Sequence, residues 1–296
     1  MPFLTKALRA ALALTVAIAA PLPALAATGP FPTVREVDPS LRYHVLFRPV
    51  TAKASRIRHP VVVFAGGGCR NAGARFSELL GELASHGYFV IALGEIGDPA
   101  QDVKPDHEPE WNGRPTKTDV SQIDWAVKWA REQTSARKGR FAGLLDTARI
   151  TLMGQSCGGV QAIDAASRLP GISTLVVLNS GLFADDRSMG GTEVKRADLA
   201  KVTVPTLILL GGKGDVAYEN GQANFDLLTK APVLLADADF GHRATYFEKD
   251  GGLYGTVVRD WLNWKINASS LAAARFTGEN CGLCTDKRWR LRRRGI

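Results

Sequence analysis

The chain has 296 residues, 45% of them hydrophobic, and a formal net charge of +8, which is enough for one large α/β domain or two small ones and excludes disorder as the main state. The charge is local: Lys6 and Arg9 sit near the start, and Lys287, Arg288, Arg290, Arg292, Arg293 and Arg294 crowd the end. The body between them is close to neutral, and no interleaving of aromatic and basic residues points to nucleic acid.

Taken in order, the chain opens like a targeting segment. Lys6 and Arg9 form a basic region, residues 10–20 are apolar, and Ala24-Leu25-Ala26 has the small-x-small form of a cleavage site. Residues 1–26 are therefore expected to be a signal peptide, with the mature chain starting near Ala27 and exported to the periplasm or beyond. The apolar run is short for a membrane span and is broken by Pro21 and Pro23, so no stable membrane anchor is expected. An exported chain tolerates disulfides.

Residues 42–49 alternate through Tyr43, Val45 and Phe47 and suggest an edge strand. Val61-Val62-Val63-Phe64 is the short continuous apolar run of a strand buried on both faces, and it ends in Ala65-Gly66-Gly67-Gly68-Cys69. Phe76, Leu79, Leu80 and Leu83 keep helical spacing up to Gly87, and residues 88–93 form another buried strand. That βαβ unit predicts a parallel sheet. Residues 94–116, with Pro99, Pro105, Pro109 and Pro115, form a long polar loop that carries His107 and Trp111. A helix with Ile123, Ala126, Val127 and Ala130 on one face leads to the strand at 150–153. Further strands are expected at 175–178, 206–210 and 232–235, the last closing the sheet, and Val257, Trp261 and Trp264 mark a final helix. The polar segment 182–202 is large enough only for a small lid, and with the 94–116 loop it is expected to wall a pocket. One domain over 27–280 results, followed at 281–296 by a basic tail with two cysteines, read as solvated.

The chemistry centres on Gly154-Gln155-Ser156-Cys157-Gly158-Gly159. This is G-x-S-x-G directly after a strand, the pattern that lifts a serine onto a strained strand-to-helix turn. A serine needs a base within hydrogen-bond reach, oriented by a third group. His44, His59 and His86 lie on or beside regular elements and read as packing or surface residues, and His107 lies in the long loop. His242 follows the last strand at its C-terminal end, where ligands gather in open α/β sheets, and is the expected base. Asp215, in Gly211-Gly212-Lys213-Gly214-Asp215 after the preceding strand, is the expected acid; Asp185, Asp186, Glu219 and Asp239 compete for that role. A developing oxyanion needs fixed N–H donors. One should come from Cys157 and a second from the turn at 66–69. A phosphate-cradling loop would need a Lys-Ser/Thr pair after the glycines, which is absent.

Together, the triple-Gly turn, G-x-S-x-G-G, the Asp after the next-to-last strand and the late Gly-His resemble the α/β-hydrolase fold over residues 42–266. The likeness is to the lipase, cutinase-like and dienelactone-hydrolase-like neighbourhood. It implies a mostly parallel central sheet with helices on both faces and at most a small lid, and it puts Gly68 at the second oxyanion donor. Many relatives carry His at the position of Gln155 and Met at that of Cys157, and dienelactone hydrolases proper use Cys where Ser156 stands, so no substrate is carried over. The expectation is an exported serine esterase, with an amidase, peptidase or acyltransferase, or a non-catalytic binding protein of this fold, as alternatives. No cofactor or metal is called for. The partner is a small-molecule or polymeric ester.

Four cysteines allow three pairings. Cys281 and Cys284 are close enough to pair locally as a staple; a zinc site would need ligands not found nearby. Cys69 and Cys157 lie on the two turns assigned to the oxyanion, so in that fold they are neighbours, either bonded to each other or present as two small buried thiols.

Overall fold

The computed structural model describes residues 22–23, 27–51, 57–96 and 117–296. All of the expected leader except residues 22–23, and most of the 94–116 loop with His107 and Trp111, lie outside the described residues.

A single mixed sheet runs through the molecule in the spatial order β1-β2-β3-β5-β4-β6-β7-β8-β9-β10. Its strands are β1 (Leu22–Pro23), β2 (Thr33–Glu36), β3 (His44–Pro49), β4 (His59–Ala65), β5 (Phe89–Leu93), β6 (Leu145–Gln155), β7 (Thr174–Leu178), β8 (Thr206–Leu210), β9 (Val233–Asp237) and β10 (Arg290–Arg294). The stretch from β5 to β9 is parallel, while the pairings at its two margins are antiparallel. The longer helices are α1 (Ser77–Ser85), α2 (Ser121–Ser135), α3 (Cys157–Arg168), α4 (Tyr218–Leu227) and α5 (Gly252–Lys265), followed by the single turns α6 (Ser270–Ala273) and α7 (Gly282–Thr285).

The continuous apolar runs have a direct packing cause. Successive side chains of a strand point to opposite faces. In β4, Val61 and Val63 pack with Ile123 and Val127 of α2 and Ile163 of α3, whereas Val62 and Phe64 pack with Leu79 and Leu83 of α1 and Val257 and Trp261 of α5. A strand covered on both sides cannot alternate, and all three valines are fully buried. Each such side chain contributes roughly 1.5–3 kcal/mol relative to exposure.

Two expectations are corrected at the margins. The strand at 42–49 is not an edge: β3 is bonded on one side to β5 and on the other to β2, which forms within the Pro-rich opening. Nor does β9 close the sheet, because the basic end of the chain is not a solvated tail. Residues 290–294 pair in register with 233–237 as β10, and their guanidiniums find carboxylates, carbonyls and a ring. Arg290 binds Asp237 and Asp239, Arg292 binds Asp226 at 2.5 Å, and Arg294 lies over the ring of Phe225. Cys281, Leu283 and Trp289 join the same buried cluster as α5, so 281–296 is part of the domain. Backbone pairing and ion pairs hold this strand, which is why hydropathy did not reveal it.

At the other end, Glu82 of α1 ties down the start of the described body. Its buried carboxylate accepts from the backbone N–H of Thr28 at 2.9 Å and from Arg259 at 3.0 Å, and meets His86 at 3.0 Å. Burial pushes its pKa up, but bonds from His86, Thr28 and Arg259 outweigh burial and hold it at about 2, against an ordinary 4.5. The folded-state value is depressed, so the stabilisation is complete above the ordinary value and is lost as pH falls through the folded one. Urea unfolding should therefore find Glu82→Gln less stable than wild type by on the order of 3 kcal/mol near neutral pH. That gap should close as pH is lowered from 4.5 toward 2; a gap independent of pH contradicts the assignment.

Candidate active site

Ser156 stands between β6 and α3 with φ 54° and ψ −121°, a conformation that a residue with a side chain adopts only when its surroundings impose it. The imposition is steric. A Cβ on Gly154 would lie 2.0 Å from the carbonyl oxygen of Gly158, and a Cβ on Gly158 would lie 2.0 Å from that of Ala65. With both absent, β6, the first turn of α3 and the end of β4 can touch, leaving the chain no relaxed path from strand to helix. The amide of Ser156 donates to Leu178 O at 2.9 Å, and its carbonyl accepts from Ser180 Oγ at 2.6 Å.

The exposed product of that turn is the Ser156 hydroxyl, 2.9 Å from His242 Nε2. On the other side of the ring, His242 Nδ1 is 2.6 Å from Asp215 Oδ1. The sequence thus separates three residues that the fold brings into one hydrogen-bonded line. Of the competing acids, Asp239 is engaged by Arg290, Asp186 accepts from the amide of Arg196, and Asp185 is exposed. His44 is bonded to the carbonyls of Arg42 and Gln122, and His59 to that of Gly87, as packing residues.

Asp215 is 4% exposed and fully hydrogen-bonded. Oδ1 also accepts from Ala217 N at 2.9 Å; Oδ2 accepts from Asn179 Nδ2 at 2.7 Å and from Gly211 N at 3.0 Å. Burial alone would raise its pKa, but the bonds from His242, Ala217, Asn179 and Gly211 prevail and hold it below the ordinary carboxylate value. It is therefore an anion at neutral pH, and it fixes the ring with Nδ1 as donor and Nε2 as acceptor.

Asn179 was not anticipated. It is fully buried directly after β7, with φ 44°. Its amide reaches both Asp215 and the carbonyl of Gly241 at 3.1 Å, while its Oδ1 accepts from Tyr246 OH. Burial raises the Tyr246 pKa well above its ordinary value, so the phenol stays a donor. Gln155 was noted only as an unusual neighbour of Ser156; its Nε2 donates to His242 O at 3.0 Å. One side chain thus fixes the acid and another the backbone of the base. An Asn directly after the apolar run 175–178 is the available sequence signal, since Asn tolerates a positive φ better than most residues.

A cleft of about 210 Å³ opens over the serine, with Gly67, Gly68, Gln155 and His242 among its walls. Cys157 is the first residue of α3, so its N–H belongs to the group of amides a helix leaves without an intrahelical partner. Gly68 sits on the short turn Gly67–Cys69 beside it, with φ 67°. The structure joins Cys69 to Cys157 with Cα atoms 5.3 Å apart, and Cys281 to Cys284 with Cα atoms 4.8 Å apart. The first bond clamps the turn after β4 to the start of α3.

The expected lid is corrected: none of the residues lining this cleft comes from 182–202. That segment instead binds the flank of α3. Gln161 Nε2 donates to Gly190 O, and Asp164 Oδ2 accepts from the amides of Glu193 and Val194. Among the described residues no group of three or more His, Cys, Asp or Glu is arranged to hold a metal ion.

No protein-family model matches the chain, and no curated protein matches it.

Because the Cys69–Cys157 bond closes a separation of 88 residues, the C69S/C157S double variant should lose about 2–5 kcal/mol in chemical denaturation. A non-reducing digest of the wild type should contain the 69-to-157 linked peptide. Free thiols at both positions would refute the clamp.

Proposed function

We propose that the protein is a serine hydrolase of the α/β-hydrolase fold that cleaves carboxylic esters through an acyl-enzyme. The observation that carries this reading is the unbroken line Ser156 Oγ, His242 Nε2, His242 Nδ1, Asp215 Oδ1, with the serine at a positive-φ strand-to-helix turn. Such a line is the arrangement that makes a weakly nucleophilic hydroxyl reactive.

The chemistry follows from the donors and acceptors. Ser156 Oγ attacks the ester carbonyl carbon as His242 Nε2 accepts its proton, and the anion of Asp215 steadies the resulting imidazolium. Negative charge collects on the former carbonyl oxygen, where the N–H groups of Cys157 and Gly68 receive it. Collapse of this intermediate breaks the bond to the alcohol oxygen, which leaves with the proton from His242. Water then repeats the sequence on the acyl-serine: His242 takes its proton, the acid departs and Ser156 is restored. None of these steps draws on a metal or an organic cofactor. Asn179 and Tyr246 act through Asp215 as positioning residues.

Export fits this reading. Two disulfides suit an oxidising compartment, and among the described residues no helix is long and apolar enough to cross a membrane.

Wild-type protein should hydrolyse a short p-nitrophenyl ester and be labelled covalently by a fluorophosphonate. Ser156→Ala should abolish both with folding retained. Asp215→Asn should lower kcat by about 10⁴-fold, since it removes the anion that holds the tautomer. Ester hydrolysis that survives Ser156→Ala would remove the reaction from this site.

A further inference from the structure

The cleft above Ser156 has a marked charge. Arg70, Arg75 and Arg243 line it, together with Phe76 and Phe247, and no Asp or Glu is among its described lining residues. General basicity does not explain this, because the body of the chain is close to neutral and Arg290 and Arg292 of β10 are matched by Asp226, Asp237 and Asp239. Arg243 directly follows His242, and among the described residues it pairs with no carboxylate; its guanidinium lies over the ring of Phe247, 4.8 Å from the centroid. The guanidinium of Arg75 is 5.7 Å from the centre of the same ring. Phe247 in turn packs on Phe76 with centroids 4.8 Å apart. Arg70 borders the turn that carries Gly68: a Cβ placed on Gly68 would be 3.2 Å from its Cγ and 3.3 Å from its Nε. Arginines therefore line the cleft beside Gly68 and beside His242, together with two aromatic rings.

From this arrangement, and resting on the hydrolase reading, we propose that the substrate is an ester whose acyl part ends in a free carboxylate, a half-ester of a dicarboxylic acid. Its methylenes lie on Phe76 and Phe247 while its carboxylate meets Arg243. A guanidinium offers paired N–H donors that match the two oxygens of a carboxylate, and stacking on Phe247 holds it in place while its edge stays open to the ligand. The cleft suits a short acyl chain, being below the roughly 300–1,000 Å³ of sites that enclose drug-sized ligands. Arg243 is thus a specificity-determining residue beside the base.

The test compares p-nitrophenyl half-esters of succinate, glutarate and adipate with neutral esters in which an isopropyl group replaces the terminal carboxylate. In the wild type at least one half-ester should exceed its neutral counterpart in kcat/KM by about tenfold, and added salt should shrink the ratio. Arg243→Gln should bring the ratio close to one, mainly through KM, and Arg243→Lys should restore part of it. A wild-type preference for the neutral esters, or an equal ratio in wild type and Arg243→Gln, overturns the proposal while leaving the hydrolase reading intact. If neither kind of ester is turned over, the hydrolase reading fails, and calorimetric titration of the Ser156→Ala protein with glutarate reads the anion site by itself. Binding that is lost in the Ser156→Ala, Arg243→Gln double variant then supports the carboxylate site, and no binding overturns it.

Discussion

The crowding between β6, the first turn of α3 and the end of β4 leaves no room for a β-carbon at Gly154 or Gly158, and the rest of the site depends on that contact. It forces Ser156 into a conformation with positive φ, and the backbone strain is of order 1–3 kcal/mol. The strain persists because β6 is anchored in both buried clusters, through Leu152 in one and Met153 in the other, and α3 in the first through Val160 and Ile163. The Cys69–Cys157 bond adds a covalent limit to how far the two turns can separate. The serine is thus held by a scaffold that its own relaxation would have to break.

Around that fixed point the polar groups are ordered in depth. Tyr246 OH, deepest and neutral, donates to Asn179; Asn179 donates to Asp215; Asp215 meets His242; and His242 meets Ser156 at the surface of the cleft. Each inner group removes a rotational or tautomeric choice from the next one out, so the outermost hydroxyl is held in one arrangement. A buried anion such as Asp215 is tolerated because both of its oxygens are bonded. The site was built by satisfying that carboxylate as much as by aligning the serine.

Much of this was legible in the sequence where hydropathy and spacing leave few choices. Val61-Val62-Val63-Phe64 has the continuous apolar run of a doubly covered strand, and Gly154-Gln155-Ser156-Cys157-Gly158 placed the turn. The order Ser156, Asp215, His242 followed from the ends of successive strands. What escaped was held together by other forces. β10 is composed mainly of arginine and is stable through backbone pairing and carboxylate partners, which a hydropathy pattern does not register. Asn179 and Gln155 act through long-range bonds, those to Asp215 and to His242 spanning 36 and 87 residues, and the partner at the far end of such a bond cannot be read from neighbouring residues. The segment 182–202 looked like a lid because it is polar and follows a strand; it is instead held against α3 by Gln161 and Asp164, which bond its backbone.

The arginine-rich last strand has a consequence for assembly. An open sheet ends in a row of unpaired backbone groups that can recruit a second chain. Here the outermost strand, Arg290–Arg294, carries cationic side chains along nearly its whole length, two of them, Arg290 and Arg292, tied back to Asp237, Asp239 and Asp226 by ion pairs. A second copy approaching edge to edge would bring a like-charged row against it. The same residues that complete the sheet therefore make this border a poor template for continuing it, so the molecule can keep a long, strongly apolar sheet without inviting its own polymerisation there.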